Sequence, residues 1–209
     1  MASKASCAGN IRRVTRWVLA AGIAQAQRWK LQGRRLRIAL NLSARDLDDS
    51  ELPRRIDELL SVHGIAPENI LLEITESAVM GRPGAAIRVL RALADQGIDL
   101  AIDDFGVGQS SFAYLRRLPV RELKIDKSFL LRFLIGSEDR TIVSSIVEMG
   151  HKLGYRVTAE GVNDQPTLDY LGEIGCDHAQ GFFIARALPV DALSVFFATP
   201  PAAIGESIA

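Results

Sequence analysis

The strongest constraint on the fold is the alternation of short β-rich runs with longer runs of helical period. The β-rich runs predict strands over Arg37–Ser43, Ile70–Ser77, Asp99–Phe105, Glu122–Phe129, Arg156–Val162 and His178–Ala185. Apolar residues three and four positions apart predict helices over Val14–Gln32, Leu52–His63, Gly84–Gln96, Ser111–Leu118, Arg140–Leu153, Gln165–Ile174 and Val190–Phe197. Strands that alternate with single helices are typical of βα units, so the sequence predicts the α/β class with a parallel sheet.

Turn residues support these boundaries. Gly64, Gly97, Gly154 and Gly175 each follow a helical run, where a left-handed backbone is expected to end the helix. A doubly wound sheet and a (β/α) barrel both fit the alternation. The first strand is followed by NLSARD rather than by the GxGxxG of a dinucleotide-binding sheet, and the positions of the polar residues favour the barrel.

Each predicted strand carries a polar or charged residue close to its carboxyl end. These residues are Asn41, Glu73, Asp103, Lys124, Glu160 and Gln180. A single residue of this kind is usually a helix cap or a solvated loop residue, but capping does not explain one on every strand. Because barrel enzymes place their catalytic residues at this rim, we predict one functional site there.

Oxygen ligands dominate the predicted site. Glu73, Asp103 and Asp104 are carboxylates, and Asn41 can add an amide oxygen. This donor set favours Mg²⁺ or Mn²⁺ over zinc or copper. Adjacent Asp103 and Asp104 can serve two metal ions, and bound cations would relieve the repulsion among converging carboxylates.

The remaining residues suit the activation of a water molecule. Lys124 and Glu160 can position or deprotonate a water, and two divalent ions with a general base are typical of phosphodiester hydrolysis. The segment DDFGVGQSS predicts either a flexible loop over the rim or an ordinary turn between a strand and a helix. Glu76 is predicted either to anchor that loop or to cap the next helix.

Composition argues against several other classes of protein. Lys plus Arg and Asp plus Glu both number 25, whereas a protein that binds duplex nucleic acid through its phosphates is usually more basic. The two cysteines, Cys7 and Cys176, form no CxxC motif, which argues against a structural zinc site or a disulfide scaffold and fits a cytoplasmic location. No run of eighteen apolar residues occurs, so we predict no membrane span.

The motifs NLS, LEITES, IDDFGVG, LKIDKSF, VTAEGV and QGFFIARALP, in this order, resemble the successive signatures of the EAL domain family. The resemblance extends from about Ile11 to Pro189. It implies a bacterial signalling enzyme that hydrolyses cyclic di-GMP to linear pGpG with Mg²⁺ or Mn²⁺. It also implies a homodimer, or an upstream sensory or GGDEF-type domain, as partner.

The resemblance assigns a role to each predicted site residue. Asn41, Glu73 and Asp103 match ligands of a first metal ion, and Asp103 and Asp104 match ligands of a second. Lys124 and Glu160 match the residues that hold and activate the hydrolytic water. Gln180 matches a glutamine that contacts the substrate or supports the site, and Glu76 matches a glutamate that steadies the loop after the Asp pair.

The sequence also departs from the family pattern. The Glu-Ala-Leu signature and the arginine that follows it do not occur. Smaller departures are Val107 and Gln109 in the glycine loop and Asn163 in place of a common glutamate. We therefore expect an incomplete TIM-like (β/α) barrel that lacks its first strands, with a disordered or non-native N-terminus at 1–10, the EAL-type barrel domain at 11–200 and a C-terminal tail at 201–209. A shortened polypeptide, a misplaced start and a frameshifted gene are the explanations left open.

Two other functions remain as alternatives. A non-catalytic module that binds cyclic di-GMP or a protein partner is favoured by the missing signature glutamate. It is disfavoured by the retention of the other carboxylates and of Lys124. An enolase-like barrel also combines a lysine with carboxylates and Mg²⁺, but the glycine loop and Gln180 fit it poorly.

Overall fold

The computed structural model describes residues 2–80, 83–107, 115–130 and 137–198, which contain six strands and seven α-helices. The strands are β1 (Ile38–Leu42), β2 (Ile70–Thr75), β3 (Asp99–Phe105), β4 (Glu122–Ile125), β5 (Arg156–Glu160) and β6 (His178–Gln180). The helices are α1 (Ala2–Leu31), α2 (Leu52–His63), α3 (Glu76–Met80), α4 (Pro83–Asp95), α5 (Ser137–Lys152), α6 (Gln165–Glu173) and α7 (Val190–Ala198). The predicted alternation is confirmed, and the four glycines predicted to end helices all have positive φ.

Several element boundaries differ from the prediction. Strand β4 ends at Ile125 because Asp126 accepts a hydrogen bond from the N–H of Ser128 and starts a short 3₁₀ helix over Lys127–Phe129. Strand β2 gives way to α3 at Glu76, and α1 begins at Ala2 rather than at Val14. Residues 111–114 of the predicted helix at 111–118, and all of the predicted tail at 201–209, lie outside the described residues. The proposed division at residues 10 and 200 stays a prediction.

The chain divides into two compact units, an N-terminal unit that ends at Leu123 and a C-terminal unit that begins at Lys124. In the N-terminal unit β1 pairs with β2 and β2 with β3, both in parallel. Its core consists of fully buried aliphatic side chains from the strands and helices, among them Ile23, Ile56, Leu72, Leu90 and Ile102. Interior positions of both strands and helices are therefore apolar, which is how a parallel sheet is covered.

Charged residues at the amino-terminal ends of the N-terminal unit's strands form an ion cluster. Arg37, just before β1, places Nη2 3.0 Å from Oε2 of Glu122 and 3.4 Å from Oδ2 of Asp99. Arg121 lies 3.5 Å from the other oxygen of Asp99. In barrel folds this end of the strands contributes to stability rather than to catalysis.

In the C-terminal unit β5 pairs in parallel with β6. A buried apolar cluster that includes Val143, Val147, Val157 and Leu171 packs helices α5 and α6 against the strands. The amphipathic period of α5 and α6 therefore buries one face of each helix.

Asp177 fastens the start of β5 in this unit. Its Oδ2 accepts a hydrogen bond of 2.7 Å from the N–H of Val157 and lies 2.8 Å from Nε2 of His151. Burial acts to raise the pKa of Asp177, but the Val157 and His151 contacts together outweigh burial and hold it below the ordinary value.

No α-helix within the described ranges is both long enough and apolar enough to span a membrane.

Candidate functional site

Three of the predicted site residues share one face of the N-terminal unit's sheet. Asn41 on β1 lies opposite Glu73 on β2, and Thr75, two residues beyond Glu73, lies opposite Asp103 on β3. Since side chains alternate with a period of two along a strand, Asn41, Glu73 and Asp103 project from the same face near the carboxyl ends. Their positions near the carboxyl ends of the strands agree with the sequence pattern, and their role as metal ligands stays a prediction.

These three side chains differ in how far they are buried. Asn41 is exposed, Asp103 is half-buried, and Glu73 has only 7% of its surface accessible. A buried carboxylate is costly to keep charged unless a cation or several hydrogen-bond donors meet it. Oxygen donors of these types suit a hard divalent cation.

The backbone at Asp104 brings the two adjacent aspartates to a common point. Asp104 has a φ of 54°, the only positive φ at a non-glycine residue in the described ranges. Regular pleating would send adjacent side chains to opposite faces, whereas here one oxygen of Asp103 and one of Asp104 lie within 4.8 Å of each other. Such a conformation costs about 1–3 kcal/mol and is typical of functional sites.

In the C-terminal unit, a buried ion pair lies at the carboxyl ends of the strands. Nζ of Lys124 on β4 lies 2.6 Å from Oε1 of Glu160, the last residue of β5. The two side chains are 5% and 19% exposed, so the lysine is enclosed while water still reaches the glutamate. Gln180, the last residue of β6, lies opposite Glu160 and is exposed.

Two glycines next to these residues were not recognised as important from the sequence. Gly161 has a φ of 83°, and a Cβ there would lie 2.5 Å from Cβ of Lys127. A Cβ on Gly181 would lie 2.0 Å from the carbonyl oxygen of Val162. The signal was present as a glycine directly after Glu160 and directly after Gln180, where two backbone segments approach closely.

Glu76 opens the short helix α3 directly after β2. It is buried at 7% exposure, and its Oε2 has no hydrogen-bond partner among the residues that the structure describes. Gly106, in the loop it is predicted to anchor, has a φ of 97°, but residues 108–114 lie outside the described ranges. The anchoring role of Glu76 stays a prediction.

Comparison with known proteins identifies the family. The model of the EAL domain matches residues 2–187. The bifunctional diguanylate cyclase/cyclic di-GMP phosphodiesterase MucR of Pseudomonas aeruginosa is 37% identical over 186 residues, which cover 88% of this chain and 27% of MucR. The solved PaMucR phosphodiesterase in complex with c-di-GMP has a TM-score of 0.85 at 37% identity and covers 90% of this chain and 77% of that one.

A second solved structure carries a metal ion as well as the nucleotide. The manganese and cyclic di-GMP complex of Klebsiella pneumoniae BlrP1 has a TM-score of 0.74 at 31% identity and covers 82% of this chain and 44% of that one.

The chain belongs to the EAL domain family. The fold similarities also confirm the predicted fold class, the α/β class of an incomplete TIM-like (β/α) barrel. The chain spans about a quarter of the length of the curated relatives it matches. The activity of those whole proteins is therefore proposed for this chain and not assigned to it.

Proposed function

We propose that this chain is the phosphodiesterase domain of a signalling protein and hydrolyses cyclic di-GMP to linear pGpG. The observation that carries the proposal is the enclosed Lys124–Glu160 ion pair at the carboxyl ends of the strands. A buried ion pair contributes little net stability, so a catalytic role explains this pair better than a structural role does. The names of the relatives, which are cyclic di-GMP phosphodiesterases, support the same substrate.

The oxygen donors of the N-terminal unit fit a hard divalent cation. We propose that Asn41, Glu73 and Asp103 hold one ion and that Asp103 and Asp104 hold a second. The buried carboxylate of Glu73 and the left-handed backbone at Asp104 support this assignment. Divalent ions in such sites stabilise the charge on phosphoryl oxygens and acidify a bound water. Mg²⁺ and Mn²⁺ both suit the donor set, and the manganese complex of BlrP1 supports the latter.

The residues of the C-terminal unit suit the handling of the water and the substrate. Lys124 donates to Oε1 of Glu160, which leaves Oε2 to accept a proton from a water molecule. In the proposed hydrolysis the water oxygen bonds to phosphorus while the bond from phosphorus to O3′ breaks, and a proton ends on O3′. Gln180, exposed beside Glu160, is proposed to contact the nucleotide.

The test follows pGpG formation from cyclic di-GMP by the purified 209-residue chain in Mn²⁺ buffer. Loss of a general base typically lowers the rate by a factor of about 10²–10⁴, so Glu160→Gln should reduce turnover by at least about a hundredfold. Glu148→Gln makes the same chemical change at an exposed surface pair with Lys152 and serves as the matched control. Equal turnover by the two variants would refute the role of Glu160.

A non-catalytic cyclic di-GMP-binding module is the second candidate, because the 209 residues contain no Glu-Ala-Leu signature. The same absence leads us to expect weaker hydrolysis from this polypeptide than from a domain with the full ligand set. Nucleotide titration with and without Mn²⁺ separates the two candidates, since a binding module need not require the metal. Binding that is equally tight in metal chelator, with no pGpG formed, would favour the module.

The wider setting follows from the family. We propose a homodimer, or an upstream sensory or GGDEF-type domain, as the partner of this domain in the cell. The cytoplasmic location predicted from the cysteine content also stays a proposal.

A further inference from the structure

The loop that follows β1 contains a buried aspartate outside the set of predicted site residues. Asp46 is 4% exposed, and a single carboxylate oxygen, Oδ2, accepts three hydrogen bonds. The donors are the N–H of Ser43 at 2.8 Å, the hydroxyl of Ser43 at 2.5 Å and the hydroxyl of Thr15 at 2.9 Å. Hydrogen bonds to an ionised acceptor are roughly twice as strong as neutral ones.

These bonds join the carboxyl end of β1 to helix α1. Thr15 is itself buried at 7% exposure within α1, and the backbone N–H of Asp46 also donates to the carbonyl of Ser43. Within the described sheet, β1 pairs with β2 along one edge only. The hydrogen bonds of Asp46 therefore link the loop at the carboxyl end of β1 to α1.

Ser43 stands two residues beyond Asn41. Both residues line one open cavity of about 680 Å³, together with Thr15 and Thr75. Because Ser43 is fixed to α1 through Asp46, the orientation of the segment that carries the Asn41 amide is fixed as well.

We propose that Asp46 is a positioning residue for the metal site and that it acts by holding Ser43, and hence Asn41, in place. The inference rests on the proposed function, since it concerns the site that Asn41 is proposed to serve. Groups that orient metal ligands typically change metal affinity by about 10–100-fold when they are removed.

The test compares Asp46→Asn with Asp49→Asn in the full 209-residue chain. Asp49 is the matched control because it is three residues away and also accepts two hydrogen bonds, from the N–H of Glu51 and from Arg55. Its contacts lie at the start of α2 rather than on Ser43. Both variants are expected to melt at lower temperature without metal, because each weakens buried or half-buried hydrogen bonds.

The readout is the Mn²⁺ concentration that gives half of the maximal rise in melting temperature. Asp46→Asn should raise it by about tenfold or more, whereas Asp49→Asn should leave it within about twofold of the wild type. Backbone hydrogen exchange in the metal-free protein gives a second readout: exchange at residues 41–43 should speed up in the Asp46 variant and not in the Asp49 variant.

The outcomes separate this inference from the proposed function. A wild-type chain whose melting does not respond to Mn²⁺ would overturn the proposed function, and this inference with it. A wild type that responds, with equal Mn²⁺ midpoints for the two variants, would overturn this inference alone. If Asp46→Asn does not fold, Thr15→Val serves as the second variant, since it removes one hydrogen-bond donor to Asp46 and keeps the side-chain volume. It should raise the Mn²⁺ midpoint by a smaller factor. An unshifted midpoint would refute the positioning role.

Discussion

The ion cluster at the amino-terminal ends of the strands should make a measurable contribution to stability. In this cluster Arg37 contacts Glu122, whose side chain is only 6% exposed, at 3.0 Å. We consider the substitution Arg37→Met, which keeps the packing of the aliphatic stem and removes the charge. It leaves the Glu122 carboxylate without its guanidinium partner in a poorly solvated position.

The magnitude can be worked from the geometry. Two unit charges at this distance attract by about 5 kcal/mol at an effective dielectric constant of about 20, and desolvation offsets much of that attraction. Removing one partner of a fully buried pair costs about 3–5 kcal/mol. Because the Arg37 side chain is 29% exposed, water partly screens the pair, and we expect a loss of about 2 kcal/mol.

The assay is urea denaturation of the wild type, Arg37→Met, Glu122→Gln and the double variant. The double-mutant cycle isolates the coupling between the two side chains, which should be about 1–2 kcal/mol. Arg121→Met is the matched control: its side chain is 76% exposed and it contacts Asp99 at 3.5 Å, so it should cost less than about 1 kcal/mol. Equal losses for the two arginine variants, or a coupling near zero, would refute the reasoning.

Three further predictions concern the C-terminal unit. In the folded protein the pKa of Asp177 lies below its ordinary value of 3.8, so its contribution to stability is present above pH 3.8 and is lost as the pH falls through the folded-state pKa. Asp177→Asn should therefore lower the free energy of unfolding near neutral pH. In urea denaturation at a series of pH values, it should also reduce the loss of stability on acidification. Burial raises the pKa of the Cys176 thiol to about 11, so in a Cys7→Ser background its alkylation at pH 8 should be slower than that of a free thiol by about a hundredfold. Gly181→Ala should destabilise the unit in thermal melting because the added methyl group meets a backbone carbonyl, whereas Gly172→Ala, in helix α6 with nothing within 4 Å, should stabilise it by about 0.5–1 kcal/mol.

Each of these predictions has a clear contrary outcome. An acid limb that is unchanged in Asp177→Asn would show that another carboxylate dominates acid unfolding. Alkylation of Cys176 at the rate of a free thiol would contradict its burial. A Gly181→Ala variant as stable as Gly172→Ala would mean that the backbone near Gly181 shifts without cost.

Much of the fold and the candidate site could be predicted from local sequence. Strand β3 and helix α2 have the predicted bounds. Hydrophobic periodicity and turn residues determine such bounds through interactions between residues only a few positions apart in the chain. Glu73 and Asp103 also lie near the carboxyl ends of the strands predicted to carry them. A polar residue that interrupts an apolar strand can be recognised from the sequence alone. The end of β4 was misplaced because Phe129 extends the apolar pattern past the turn that Asp126 caps.

The sequence by itself determined the class of fold, the order of the strands along the chain and the residue types at their carboxyl ends. The tertiary structure decided which of those residues meet. Lys124 lies 2.6 Å from Glu160, which is 36 positions further along the chain, because the two strands that carry them bring the side chains together.

 The partners of Arg37 and of Asp46 were likewise not predictable, since Glu122 lies 85 residues from Arg37 and Thr15 lies 31 residues from Asp46. Contacts between residues so far apart depend on how the elements pack, and neither the local period nor the turn residues carry that information.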